Sequence, residues 1–138
     1  NYRHTQTPKG WIYTSAEFIG KGADKQSIRE RMRQNLAHRA DAQPIGKRTG
    51  GSTFANPAGH KAWQLIEAAG CRGLRIGDEK VSYKHCNFLI NNGQSTEFDI
   101  EALGLEVCNR VRQNSGIDLR WEIKRIGLNR RTNGERVR

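Results

Sequence analysis

The organisation of this chain is decided by the stretch GGSTFANPAG at residues 50–59, in which two glycines precede a serine and an Asn-Pro step follows. Glycine adopts backbone angles that other residues avoid, so paired glycines let the main chain approach a flat or charged ligand closely. Ser52 lies at the tip of that approach. The residues also fit a plain turn before a helix, with Asn56 as its N-cap and Pro57 in the first helical position. On spacing alone the plain turn is the favoured interpretation.

The pattern around this stretch predicts an α+β fold of short antiparallel strands packed with helices. Upstream, the β-forming residues at 11–19 predict a strand, and Asp24 can cap a helix that runs to about Arg39. A shift to Asp, Gln, Pro, Gly and Lys between 40 and 51 marks the boundary between two structural units. The elements predicted downstream are a helix over 62–69, strands at 74–77, 81–83 and 88–90, a helix that begins after Ser95 or Thr96 and ends at Gly116, and a strand over 117–124.

The last predicted strand alternates cleanly, which places Ile117, Leu119, Trp121 and Ile123 on one face. Glu122 then points to the opposite face. The ordinary role for such a carboxylate is a solvent-facing ion pair with a neighbouring strand.

The charge balance is strongly basic, with a formal net charge of +10 over 138 residues. Clustered Lys and Arg favour a polyanionic partner, since binding releases counterions from phosphates. These cations fall on the predicted helix over 24–39 and on the tail, while Trp11, Trp63 and Trp121 are far apart in sequence and offer no stacking platform. A small basic RNA-binding module is therefore the alternative rather than the first hypothesis, and no nucleic-acid partner is expected. No apolar stretch approaches the roughly 20 residues of a membrane span.

The cysteines Cys71, Cys86 and Cys108 are odd in number and form no Cys-x-x-Cys pair. Neither a disulfide framework nor a metal site is implied, and a reducing cytosol is the natural compartment. We expect buried, small apolar thiols rather than a cysteine nucleophile. Because Asn1 is not an initiator methionine and no signal peptide follows, the chain is expected to be a piece of a longer protein.

Three motifs carry a family resemblance: GSTFANP at 51–57, VSYKHCNFLIN at 81–91 and EIKRIG at 122–127. Together they resemble the UDP-N-acetylenolpyruvoylglucosamine reductases, flavoenzymes of bacterial cell-wall synthesis. The motifs stand in the family's order and spacing across nearly the whole chain. YRHT at 2–5 is also similar to the family's Tyr-Arg-x-Ser, with Thr5 in place of the serine.

The resemblance implies a two-stage reaction. NADPH reduces FAD, and hydride then passes to the enolpyruvyl vinyl ether of a UDP-sugar, which becomes UDP-N-acetylmuramate. By the family's pattern, the catalytic residues are Ser52 as proton donor, with Glu122 and Arg3 assisting at the developing enol. The implied substrate-binding residues are Asn56, His85 and Lys84, and the implied cofactor-binding residue is Gly51.

The resemblance also implies a division of the chain. Residues 1–42 would be the end of an FAD-binding domain, residues 43–126 the substrate-binding domain, and residues 127–138 a basic tail. Most of the flavin site would lie upstream, so the chain on its own is expected to be inactive. The expected protein is a monomer in the bacterial cytoplasm, with no membrane partner.

Overall fold

The computed structural model describes residues 6–8 and 10–126. Within that range the chain forms helices and one antiparallel sheet of strand order β1-β2-β3, so the predicted α+β class is confirmed. The elements are α1 (Lys25–Ala42), α2 (Ala62–Ala68), β1 (Arg75–Ile76), β2 (Glu79–Val81), β3 (Leu89–Asn91) and α3 (Glu97–Ser115). None of the described helices is long and apolar enough to cross a membrane.

The predicted first hairpin is confirmed, but its turn is shorter than predicted, because β2 begins at Glu79 rather than at Val81. Gly77 and Asp78 connect β1 to β2, and Gly77 has the positive φ of 57° that favours glycine. In the next pair, Val81 of β2 lies opposite Leu89 of β3. Asn91 at the end of β3 also pairs with Arg48, which brings the chain before residue 50 alongside the sheet.

Helix α3 covers the sheet and packs against α2. Thr96 is its N-cap and forms a capping box with Asp99, and Gly116 ends the helix with a φ of 71°. The fully buried residues Leu103, Val107 and Val111 form the inner stripe, as their spacing predicts. The core therefore lies between α2, α3 and the sheet.

The predicted strand over 11–19 is wrong, because this segment has no regular secondary structure. A strand needs a hydrogen-bonded neighbour and a surface to pack on, and no described residue pairs with this segment. Its apolar side chains are exposed, Ile12 by 87% and Phe18 by 90%. The local β propensity is thus not enough to form a strand here.

The helix predicted from Asp24 is confirmed as α1, with the Asp24 carboxylate accepting from the Ser27 N–H at 2.9 Å. No residue of α1 is buried. The stripe of Ile28, Met32 and Leu36, predicted to cover the edge of another element, is exposed in this chain.

The predicted strand over 117–124 is also wrong, since the segment makes one isolated bridge, between Trp121 and Phe54. The ladder stops there because the N–H groups of Glu122 and Ile123 both donate to the Thr53 carbonyl, at 2.8 and 3.5 Å. The alternation survives in part: Leu119 is buried, whereas Glu122 is only partly exposed instead of facing solvent.

Gly104 in α3 lies directly against the indole of Trp121, and a methyl group added there would overlap the ring. Helix propensity alone would make Gly104→Ala stabilising by about 1 kcal/mol. We expect the opposite sign, a loss of about 1 to 3 kcal/mol in the free energy of unfolding, because the overlap displaces a packed aromatic ring. Urea unfolding measures this free energy, and the double variant Gly104→Ala, Trp121→Leu should recover part of the loss. A stabilised Gly104→Ala variant would contradict the packing of Trp121.

Candidate active site

Residues 50–53, which we call the Ser52 turn, run from the Arg48–Asn91 pair towards the core. Gly51 has a φ of 89°, a conformation that residues with a Cβ rarely adopt. A Cβ at Gly51 would have no described atom within 4 Å, so the main chain is open on that side. Ser52 is partly exposed, and Thr53 is buried with 2% of its surface accessible. Ser52 is thus partly exposed, next to a buried residue that fixes one end of the turn.

The anchor is Asn87, a buried residue that the sequence argument did not single out. Its carboxamide accepts from the Phe54 N–H at 2.9 Å and donates to the Phe54 carbonyl at 2.8 Å. The Asn87 carbonyl also accepts from the Thr53 N–H at 2.8 Å. The available signal was a lone amide between Cys86 and Phe88 in an otherwise apolar run, since a buried amide must find partners.

The segment that carries Glu122 lies beside the Ser52 turn. The Glu122 N–H donates to the Thr53 carbonyl at 2.8 Å, and the Ala55 N–H donates to the Arg120 carbonyl at 2.9 Å. The Phe54 and Trp121 rings pack with centroids 5.0 Å apart. This pairing brings the backbones at Ser52 and Glu122 together, although the two residues are far apart in sequence.

A second contact fixes the chain after Glu122. Arg125 lies over the Trp121 ring, with its guanidinium carbon 4.7 Å from the ring centroid. The same guanidinium pairs with Glu101 of α3. An aromatic ring and a partly buried carboxylate therefore hold Arg125 in place.

Asn56 does not open the helix, and the prediction of Pro57 as the first helical residue is wrong. Helix α2 begins at Ala62, and the Asn56 side-chain oxygen accepts from the Ala62 N–H at 2.9 Å. Residues 57–60 instead form a turn closed by a hydrogen bond from the His60 N–H to the Pro57 carbonyl. Asn56 thus reaches forward to the helix from outside it, and its exposed amide lies close to the Ser52 turn in sequence.

Lys84 and His85 lie in the loop between β2 and β3 and make contacts within the protein. The Lys84 ammonium donates to the Ala40 carbonyl at 2.6 Å, near the C-terminus of α1. The His85 ring packs edge-on against Phe88, with centroids 4.9 Å apart, and its Nδ1 accepts from the Asn87 N–H. Burial, assisted by Arg72, lowers the pKa of His85, so the imidazole is neutral at pH 7.

The sequence also singles out Arg3, the basic tail and three cysteines. Arg3 and the basic tail at 127–138 lie outside the described residues.

Burial raises the pKa of the Cys71 and Cys86 thiols and raises that of Cys108 to about 11. These thiols are protonated at neutral pH and are poor nucleophiles.

The family model for the C-terminal domain of UDP-N-acetylenolpyruvoylglucosamine reductase matches residues 43–126, a range that holds the Ser52 turn, Asn87 and Glu122. The chain belongs to this family. The family and the relatives are named for a reductase, and they give no support to the alternative of a basic RNA-binding module.

Named relatives agree with this. The chain is 55% identical over 130 residues to the UDP-N-acetylenolpyruvoylglucosamine reductase of Paramagnetospirillum magneticum, covering 94% of this chain and 42% of that protein. It is 58% identical over 127 residues to the reductase of Methylorubrum populi, with 92% and 41% covered. The chain thus spans about two-fifths of the length of these relatives.

A solved structure shows the same architecture. The crystal structure of UDP-N-acetylenolpyruvylglucosamine reductase from Thermus caldophilus matches with a TM-score of 0.58 and 35% sequence identity. The match covers 76% of this chain and 37% of that one.

Proposed function

We propose that this chain is the substrate-binding part of an NADPH-dependent, FAD-containing reductase that converts UDP-N-acetylglucosamine enolpyruvate to UDP-N-acetylmuramate in peptidoglycan precursor synthesis. The observation that carries the proposal is the hydrogen bond from the Glu122 N–H to the Thr53 carbonyl. This bond brings together the segments that carry Ser52 and Glu122, two candidate catalytic residues, in a chain that belongs to the reductase family. The reaction would take place in the bacterial cytoplasm.

Ser52 is the proposed proton donor. Hydride addition to one vinyl carbon moves negative charge onto the neighbouring carbon and its carboxylate, and that carbon must then be protonated. A serine hydroxyl is a weak acid in water, but an enolate carbon is strongly basic, so a positioned hydroxyl can donate to it. The glycines before Ser52 and the anchored Thr53 after it supply that positioning.

Glu122 and Arg3 are the proposed assistants at the developing enolate. The planar guanidinium of Arg3 offers paired donors for the substrate carboxylate, which a lysine would not. An ionised Glu122 would repel an enolate, so we infer that Glu122 shares a proton with the reacting groups at that moment. Asn56, Lys84 and His85 are the proposed substrate-binding residues, and the side chain of Asn56 is partly exposed.

The proposed contact of this chain with a flavin is at Gly51. Gly51 has a positive φ and open space where a Cβ would project, so a flat ring can approach its main chain. When bound, the FAD would supply the hydride, and the main chain at Gly51 would help to hold it. We further propose that residues 1–42 complete the FAD-binding domain, which would cover the exposed apolar side chains at 11–19, and that residues 43–126 form the substrate domain.

The proposal can be tested by purifying and assaying the full-length protein. It should purify yellow with bound flavin and oxidise NADPH when the enolpyruvyl UDP-sugar is added. A colourless full-length protein that instead binds RNA with an affinity falling steeply with salt would overturn it.

Glu122→Gln should change the pH dependence of substrate reduction. Glutamine keeps the shape of the side chain but cannot exchange a proton, so one limb of the pH–rate profile should disappear and the maximal rate should fall by about ten- to a hundredfold. Stopped-flow measurement of flavin reoxidation by substrate, from pH 5 to pH 10, is the assay. The matched control is Glu97→Gln in the exposed first turn of α3, which should leave the profile unchanged. An unaltered profile in Glu122→Gln would remove Glu122 from the proton chemistry.

A further inference from the structure

A cavity of about 220 Å³ borders the Ser52 turn. Gly50 and Thr53 line it from the turn, and Ile123 lines it from the segment that carries Glu122. The sheet contributes Glu79 of β2 and Asn91 of β3 to the same lining. The cavity is thus bordered by the Ser52 turn, by the segment that carries Glu122 and by the sheet.

Glu79 is the unusual member of this lining. Its side chain has only 1% of its surface exposed, and its Oε2 atom has no hydrogen-bond partner within the described part of the chain. The buried Ser95 hydroxyl lies beside the Glu79 carboxyl, close enough to lower its pKa, and does not line the cavity. Buried polar groups are normally hydrogen-bonded, so an unpartnered carboxyl oxygen at a cavity requires an explanation. A cavity of this volume has room for several water molecules, each of which occupies about 30 Å³ in the liquid.

The charges around Glu79 favour its neutral form. Burial is the main cause that raises its pKa, and the carboxylates of Asp78 in the hairpin turn and Asp99 of α3 raise it further, against a smaller lowering by Ser95. Arg48, the cation in the same lining, would favour the ionised form, but its side chain is exposed and solvent screens its charge. A protonated carboxyl has both a donor and acceptors, so it can bridge main-chain groups through water.

We propose that Glu79 is a positioning residue for the reductase reaction: through water in this cavity its carboxyl holds the Ser52 turn in the orientation needed for proton donation. The proposal rests on the proposed function of Ser52. The turn is fixed at one end by the hydrogen bond from the Asn91 N–H to the Arg48 carbonyl and at the other by Thr53. Glu79 would support the residues between these two fixed points.

Two variants of the full-length protein separate this role from simple packing. Glu79→Gln keeps the size and the hydrogen-bonding groups without the charge, whereas Glu79→Leu keeps a similar volume and removes both. We expect Glu79→Leu to slow reduction of the enolpyruvyl substrate about tenfold, the effect of losing one hydrogen-bonded support, with flavin reduction by NADPH unchanged. Glu79→Gln should keep the substrate half-reaction within about twofold of the unaltered protein.

Hydrogen–deuterium exchange gives a readout that does not need activity. Peptides covering residues 49–54 should exchange faster in Glu79→Leu than in the unaltered protein or in Glu79→Gln. Unchanged exchange in both variants, or equal slowing of both half-reactions, would overturn the inference. Failure of the unaltered protein to reduce the substrate would instead overturn the proposed function, and the exchange experiment would still decide the role of Glu79.

The pH dependence supplies a third check. Because the pKa of Glu79 is raised by folding, its neutral form contributes full stability below the ordinary glutamate value of 4.5, and this contribution is lost as pH rises through the raised pKa. Glu79→Gln should lack this loss, so its midpoint of thermal unfolding should exceed that of the unaltered protein increasingly as pH rises. Parallel pH curves for the two proteins would contradict a neutral Glu79.

Discussion

Replacing Ser52 with alanine in the full-length protein is expected to slow reduction of the enolpyruvyl substrate by about 10² to 10⁴-fold, the usual contribution of a positioned proton donor. Reduction of the flavin by NADPH should stay near its normal rate, because that half-reaction needs no proton at the substrate carbon. The two half-reactions are measured separately by stopped-flow absorbance of the flavin. Without the hydroxyl, the enolate that forms after hydride addition has no positioned acid and must wait for water.

The control for this experiment is Ser115→Ala at the C-terminal end of α3, where the serine hydroxyl donates to the Val111 carbonyl of the same helix. It should leave both half-reactions unchanged. Equal slowing of the two half-reactions by Ser52→Ala would assign Ser52 a positional role at the flavin.

The elements that could be predicted from sequence are those whose determinants are local. Helix α3 carries its capping residue Thr96, its apolar stripe and its terminal Gly116 within its own length. The first hairpin likewise contains its own turn residues. Residues 11–19 and 117–124 have equally clear local patterns, yet neither forms a strand, because a strand depends on a partner that the local sequence does not specify.

The same distinction applies to the candidate site. Family resemblance pointed to Ser52 and Glu122, but the backbone hydrogen bonds that join their segments are long-range and could not be read from spacing. Asn87 gives only a weak signal in the sequence, an amide in an apolar run, and Glu79 gives none. Burial makes both notable: Asn87 has its hydrogen bonds formed, and Glu79 has one oxygen unpartnered.

Asn87→Ala is expected to lower the free energy of unfolding by about 2 to 5 kcal/mol. The change removes two buried hydrogen bonds and leaves both the N–H and the carbonyl of Phe54 without these partners, and each such group costs about 1 to 3 kcal/mol. Urea unfolding monitored by circular dichroism measures the loss. Asn92→Ala is the matched control, because Asn92 is an exposed amide in the neighbouring turn with one side-chain bond, to the Asp78 carbonyl, and should change stability by less than about 1 kcal/mol.

Asn87→Asp distinguishes the hydrogen bond that the Asn87 side chain accepts from the one that it donates. An aspartate can still accept from the Phe54 N–H but, when ionised, cannot donate to the Phe54 carbonyl, and it buries a charge. We therefore expect Asn87→Asp to be strongly destabilising at pH 7 and to recover part of its stability as pH falls and the carboxyl is protonated. If the Ser52 turn depends on this anchor, the substrate half-reaction should fall in the same variants while they are still folded. An Asn87→Ala protein as stable as Asn92→Ala would mean that water replaces the amide, and the Ser52 turn would then be held by main-chain hydrogen bonds, those of Thr53 with Asn87 and Glu122 and that of Arg48 with Asn91.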